Sequence, residues 1–444
     1  MKRRPGSQSE SPSKKPRLWV SDTEDLSPVD LVRSNSVILT LVFSFLSPGD
    51  VKSVALVCRD WSRLVELPRF WTWARLTLSW ENIEERAASV RLRNIPRVVI
   101  ERGVSGSQLD WLFLTQETVS LTSLNFRGAD LSGVSAKLVS EVVLRLEQVE
   151  FHDTDLSSDQ VEAIFTGILE RRPLTLRTLK LSLADLSSVP PAVLATALVK
   201  LEEVRLLSSN QLSREQIVFL YNEMLTSTEL RLRKLKLHNI DLSPIAPEDL
   251  SAALLRLENV DLSATKLTEP QVQALILHTA QTPELKLRSL RLFSKETSNP
   301  SLLRVSPSHL AQALVRLEKV DLTNFILIPE QGKAVFKAIV SSPSLKLRRL
   351  TLVAGLYLLF ARRCEDYISE ALARLETVNI LGFSFKPKVA NAICQKIVNS
   401  KTLKLRALKL WRSEDFPVST ELLKEVKEKV KVNFVMSQGN HSST

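Results

Sequence analysis

Residues 232–262 read LRKLKLHNIDLSPIAPEDLSAALLRLENVDL. The stretch opens on Leu232, Leu235 and Leu237 and closes on Leu257, Val260 and Leu262, two copies of the pattern Leu-x-x-Leu-x-Leu. The fourth and sixth positions of each copy point the same way on an extended chain, as one buried side of a short strand requires. Counted by its first position, the pattern falls at Leu121, Leu146, Leu176, Leu201, Leu232, Leu257, Leu287, Leu317, Leu347, Leu375 and Leu405. Those are eleven copies, spaced 25 to 31 residues apart. Weaker copies fit at Trp73-Leu76-Leu78, Ile95-Val98-Ile100 and Lys429-Val432-Phe434. Helix-start signals lie between the strands. Ser157 with Gln160, Ser213 with Gln216 and Thr268 with Gln271 have capping-box spacing, and Pro190-Pro191 and Pro270 suit a first helical turn.

A strand and a helix at this period make a leucine-rich repeat, whose units stack into a solenoid. The longer units resemble those of the ribonuclease-inhibitor type. The fold class expected is an α/β solenoid over residues 73–436, a right-handed horseshoe with a parallel inner sheet.

Two rows of charge run across the repeats. The second positions read Glu147, Arg177, Glu202, Arg233, Glu258, Arg288, Glu318, Arg348, Glu376 and Arg406, alternating in sign throughout. On strands about 4.8 Å apart this predicts a continuous ladder that stabilises the array and penalises a one-unit slip. A charged binding strip is the other reading. The fifth positions point into the inner face, where Lys180, Arg205, Lys236, Asp261, Arg291, Asp321 and Lys409 form the candidate substrate face, with Lys234 and His238 beside it. An ordinary solvated sheet face is the alternative there. Insertions fall near 294–304 and 354–366. The second is apolar (Leu356, Tyr357, Leu358, Leu359, Phe360) and either packs down as a helix or presents a patch to a substrate.

Upstream, residues 34–71 read SNSVILTLVFSFLSPGDVKSVALVCRDWSRLVELPRFW. Apolar residues at Ile38, Leu39, Val42, Phe43 and Leu46 keep helical spacing, Ser47-Pro48-Gly49-Asp50 breaks the helix, and a second period runs through Val51, Val54, Ala55, Val57 and Cys58, extended by Trp61 and Leu64. About forty residues cannot close a large core alone, so part of this surface is expected to face a partner or the following domain. The segment resembles the F-box family through Val42-Phe43-Ser44-Phe45-Leu46, Ser47-Pro48-Gly49-Asp50, Val57-Cys58-Arg59-Asp60-Trp61, Pro68 and Trp71. The resemblance implies an all-α module over 34–72 that docks on an Skp-type adaptor and, through it, a cullin scaffold. It implies adaptor contacts at Leu39, Val42, Phe43, Leu46, Pro48, Val51 and Trp61. The family usually opens on a Leu-Pro pair, and Ser34-Asn35 stands there in this chain.

The 444 residues are 44% hydrophobic and 25% charged, typical of a folded soluble chain, and only 6% aromatic, so the core is aliphatic. Sixty Lys and Arg against forty-nine Asp and Glu give +11, of which +5 sits in the first twenty residues. Residues 1–33 and 437–444 have the composition of disordered tails. In the first, Lys2-Arg3 and Lys14-Lys15-Pro16-Arg17 have the spacing of a bipartite nuclear import signal, with a solubilising basic tail as the alternative. Ser11 and Ser27, each before proline, are candidate phosphosites.

Three cysteines far apart (Cys58, Cys364, Cys394) offer neither a disulfide framework nor a zinc site, and Cys58 reads as helix core. The five histidines lack metal-ligand spacing, no glycine loop or nucleophile elbow occurs, and no apolar run reaches a membrane span. The expectation is a nuclear and cytoplasmic adaptor without catalytic residues, cofactor, metal, membrane or nucleic acid. It would be the substrate-recognition subunit of an Skp-cullin-F-box (SCF) ubiquitin ligase. A nuclear repeat scaffold or inhibitor-like binding protein is the alternative.

Overall fold

The computed structural model describes residues 36–43, 45–46, 50, 53–65, 75–83, 95–114, 121–207, 212–293, 302–323, 325, 327–353, 365–381, 387–412 and 418–436. The chain divides into two units, residues 1–74 and 75–444. The import-signal residues, Ser11, Ser27, the 354–364 part of the apolar insertion and the C-terminal tail lie outside the described residues.

In the first unit, α1 (Ser36–Phe43) and α2 (Arg59–Val65) pack through Phe43 and Trp61, whose rings meet edge-on at 5.1 Å and 69°. Leu39, Phe43 and Val65 are buried.

The second unit opens with β1 (Arg75–Leu78), β2 (Arg97–Ile100) and α3 (Gly106–Leu114). It continues through β3 (Ser123–Arg127), α4 (Ala136–Arg145), β4 (Gln148–His152), α5 (Ser158–Glu170), β5 (Thr178–Ser182) and α6 (Pro191–Val199). Next come β6 (Glu203–Leu207), α7 (Arg214–Thr226), β7 (Lys234–Leu237), α8 (Pro247–Leu255), β8 (Asn259–Ser263), α9 (Glu269–Gln281) and β9 (Ser289–Phe293). A 3₁₀ turn (Leu302–Arg304) leads to α10 (Pro307–Arg316), β10 (Lys319–Thr323), α11 (Pro329–Ser341) and β11 (Arg349–Val353). The array ends with α12 (Glu365–Arg374), β12 (Thr377–Leu381), α13 (Pro387–Asn399), β13 (Ala407–Arg412), α14 (Thr420–Lys429) and β14 (Lys431–Met436).

The strands form one parallel sheet of 14 in sequence order, the leucine-rich-repeat solenoid, and its outer strands are the weaker copies of the pattern. Register follows the repeat: Lys180 pairs with Arg205, Arg205 with Lys236, and Asp261 with Arg291. First, fourth and sixth positions fill one aliphatic core, as Leu232, Leu235 and Leu237 show. Strands about 4.8 Å apart share units with helices that need about 8–10 Å, which gives the helices the outer arc and the sheet the inner one.

Helix length alternates. α5, α7, α9, α11 and α13 have 13 residues, whereas α6 and α8 have 9 and α10 and α12 have 10. The capping boxes at Ser157, Ser213 and Thr268 form, and their glutamines do a second job that spacing did not reveal. Gln160, Gln216 and Gln271 are buried, and each Nε2 donates to two carbonyls one repeat earlier, at 2.7–2.8 Å: Leu131 and Val134, Leu186 and Val189, Leu242 and Ile245. Gln331 bridges Leu302 and Val305 in the same way, behind an Ile328 N-cap that has no side-chain oxygen. One side chain thereby satisfies a helix start and the preceding loop. The 3₁₀ turn within the first insertion belongs to that device, with Leu302 wholly buried.

Two expectations are corrected. Cys58 is exposed and lies ahead of α2, so it is no core residue, whereas Cys394 is buried and its thiol is pushed up to about 11 by that burial. The second-position charges form separate pairs rather than a continuous ladder: Arg177–Glu202 (3.6 Å), Arg233–Glu258, Arg288–Glu318 and Arg348–Glu376 (each 3.7 Å). Each guanidinium turns to the glutamate that follows it in sequence, and facing one carboxylate takes it out of ion-pair reach of the other.

Candidate functional site

Two surfaces qualify. On the first unit, six of the eight residues of α1 (SVILTLVF) are apolar, so periodicity alone does not say which of them are buried. Leu39 and Phe43 are 6% and 3% exposed and, with Trp61 on Phe43, build the inside of the module. Side chains held there shape the module's surface from within. Val42 is 47% exposed and Leu46 half-buried, while Pro48 and Val51 lie outside the described residues. The apolar groups turned to solvent are Val37, Leu41, Val42, Phe45, Leu56 and Val57, with Phe45 and Leu56 more than four-fifths exposed. Phe45 follows the last turn of α1, and Leu56 and Val57 precede α2. Six large apolar side chains are thus exposed within about twenty residues, a concentration that makes this module a candidate association surface.

On the second unit, all seven predicted face residues stand at fifth positions of consecutive or near-consecutive strands, in register, and most are ion-paired. Lys180 Nζ lies 3.5 Å from Glu150, which also accepts a 2.9 Å hydrogen bond from Asn125 Nδ2. Arg205 Nε donates to Glu203 at 2.6 Å, and Lys234 meets the same carboxylate at 3.4 Å. Lys236 reaches Asp261 at 3.3 Å, and Arg291 lies between Asp261 (3.6 Å) and Asp321 (3.0 Å). Each lysine and arginine of the predicted basic cluster therefore has a carboxylate partner within the sheet. Lys409, on β13, stands apart from this network, in register with Asn379 on β12.

The acids are held as well as paired. Asp261 Oδ1 accepts from the backbone N–H of Ser263 at 3.1 Å and from the Ser263 hydroxyl, and Asp321 Oδ1 accepts from Thr323 at 3.1 and 2.5 Å. The signal was present in sequence as Asp-Leu-Ser and Asp-Leu-Thr across β8 and β10. Burial alone would push the Glu203 carboxyl up, yet Arg205 and Lys234 beside it hold it below the usual carboxylate range. A hollow of about 370 Å³ lies over this network, lined by Glu203, Arg205, Lys236, Asp261, Arg291 and Lys319. Such a face offers fixed donors and acceptors in both signs, which suits a polar protein surface more than a single-sign ligand.

Among the described residues no group of three or more His, Cys, Asp or Glu side chains is placed to hold a metal ion, and no helix is long and apolar enough to cross a membrane.

Residues 36–77 match the F-box-like family model. Over 343 residues, 74% of this chain, the sequence is 26% identical to mouse NACHT, LRR and PYD domains-containing protein 14, and the match spans 33% of that relative's length. The solved structure of human 5T4 (Wnt-activated inhibitory factor 1, trophoblast glycoprotein) aligns over 76% of this chain and 88% of that one, with 15% identity and a TM-score of 0.24.

Proposed function

We propose that this chain, an F-box/leucine-rich-repeat protein, is the non-catalytic substrate-recognition subunit of an SCF ubiquitin ligase. The F-box-like module holds an Skp-type adaptor and thereby a cullin scaffold, and the repeats hold a protein substrate. The chain's own contribution is positional: it raises the effective concentration of the substrate at a conjugating enzyme carried by the rest of the ligase. The observation that carries this reading is the exposure of Val37, Leu41, Val42, Phe45, Leu56 and Val57 in a module matching the F-box-like family.

Calorimetric titration of the full chain with a purified Skp-type adaptor tests it. Phe45→Ala with Leu56→Ala removes two exposed anchors without opening the Phe43–Trp61 packing, and is expected to weaken binding more than about tenfold. Wild type that fails to bind at micromolar concentration, or a double variant that binds equally well, overturns the reading. The basic clusters Lys2-Arg3 and Lys14-Lys15-Pro16-Arg17 support capture by an import receptor and a nuclear location. In a fluorescent fusion, Lys14→Ala with Lys15→Ala is expected to move the protein to the cytoplasm, and an unchanged distribution removes that part of the proposal.

A further inference from the structure

One edge of the array carries charge that the sheet does not neutralise. The residue three places before each strand from β6 to β13 is basic: Lys200, Arg231, Arg256, Lys286, Arg316, Lys346, Arg374 and Lys404. From Arg231 onward these cations take two fates in strict alternation. Arg256, Arg316 and Arg374 are half-buried and turn back onto the C-termini of the 13-residue helices. Arg256 donates to the carbonyls of Met224, Leu225 and Ser227, Arg316 to those of Thr279, Ala280, Thr282 and Pro283, and Arg374 to those of Ile339, Val340 and Ser342. These satisfy helix-end carbonyls and the negative end of the helix dipole, so their role is structural.

Arg231, Lys286, Lys346 and Lys404 are exposed and have no ion pair among the described residues. Lys319 and Arg349, exposed at the starts of β10 and β11, add two more cations and stand directly opposite one another in register. Like charges on neighbouring strands are destabilising, and here no acid is interposed. Against six free cations, the same edge exposes the carboxylates of Glu229 and Glu284. The row begins at a cleft of about 570 Å³ lined by Arg171, Arg172, Lys200 and Arg231 with Glu229 as its one acid.

We propose that this edge docks an acidic, extended peptide segment of a partner protein, its carboxylates meeting Arg231, Lys286, Lys346 and Lys404 in turn. The spacing selects the conformation. The four cations recur on every second strand, about 9.6 Å apart. A polyproline II chain repeats every three residues, about 9.3 Å, so an acid at every third position meets each cation in succession. A nucleic acid fits less well: the edge segments 227–233, 282–289, 342–349 and 400–407 contain no aromatic residue on which a base stacks. The assignment rests on the array being the partner-binding half of the protein and not on adaptor capture, so it is tested without adaptor.

The test is fluorescence anisotropy on the full chain, with a labelled peptide of about six Glu-Pro-Pro triplets, a peptide of the same composition with its glutamates contiguous, and a single-stranded oligo-dT of similar length. The triplet peptide is expected to bind most tightly, with an affinity that falls steeply as salt rises. Lys286→Glu, Lys346→Glu and Lys404→Glu together are expected to weaken it at least tenfold. Lys333→Glu, Lys337→Glu and Lys424→Glu, an equal charge change on the exposed sides of α11 and α14, are expected to weaken it less than twofold. The same triples made with Gln, which delete charge without reversing it, are expected to fall in the same order. Equal loss in the two sets, equal affinity for the contiguous peptide, tighter binding of oligo-dT, or no peptide binding each overturns the proposal.

Discussion

The second-position and fifth-position rows both carry charges of both signs at the same strand spacing, yet they are physically different objects. In the second row each Arg–Glu pair stands alone at 3.6–3.7 Å, with its arginine more than three-fifths exposed. In the fifth row Asp261 serves both Lys236 and Arg291, Arg291 also reaches Asp321 at 3.0 Å, and both aspartates are held by the last residue of their own strand. An isolated exposed pair loses most of its Coulomb energy to solvent and to ordering two long side chains. A shared, half-buried acid orders several partners at once. Charge alternation read from a sequence therefore says little until burial and sharing are known.

The sharpest way to break the contrast is Asp261→Asn. It keeps the size and removes the anion between Lys236 and Arg291, leaving two cations facing each other. We expect a loss of about 1.5 kcal/mol in urea unfolding, and an effect below about 0.5 kcal/mol would place the two rows in one class. The next effect is in pH. The folded pKa of Glu203 is depressed, so its contribution is present above the unfolded carboxylate range and is lost as pH falls through the folded value. Glu203→Gln should therefore cost stability at neutral pH and less below pH about 4, measured as the difference between wild-type and variant melts across that window. A difference that grows on acidification contradicts the assigned sign.

The fold was legible because each strand copy carries its own leucines and three of the long helices their own Ser-x-x-Gln or Thr-x-x-Gln, all within a few residues. What escaped the sequence depends on partners a repeat away. The second role of Gln216 needs the carbonyls of Leu186 and Val189, which no local pattern announces. Nor does spacing separate Arg256, spent on a helix end, from Lys286, which faces solvent. Their difference follows from whether a long helix ends within reach. In α1 of the F-box-like module six of eight residues are apolar, and the pattern does not separate the inward pair, Leu39 and Phe43, from the rest; the packing of Phe43 on Trp61 does.

The smallest expected effect is also the most specific to this comparison. A double-mutant cycle on Arg177→Ala and Glu202→Ala isolates one second-row pair, whose 3.6 Å contact is solvated on both sides. A coupling of about 0.3 kcal/mol is expected, disappearing in molar salt. The same cycle on Arg291→Ala and Asp321→Ala, at 3.0 Å with the acid four-fifths buried, should give about three times as much and survive the salt. If instead the Arg177 pair couples as strongly as the Arg291 pair, exposure does not divide these rows. The free cations at the edge of β7 to β13 would then be poor guides to where a partner binds, because exposed charge in this array would already be working for the fold.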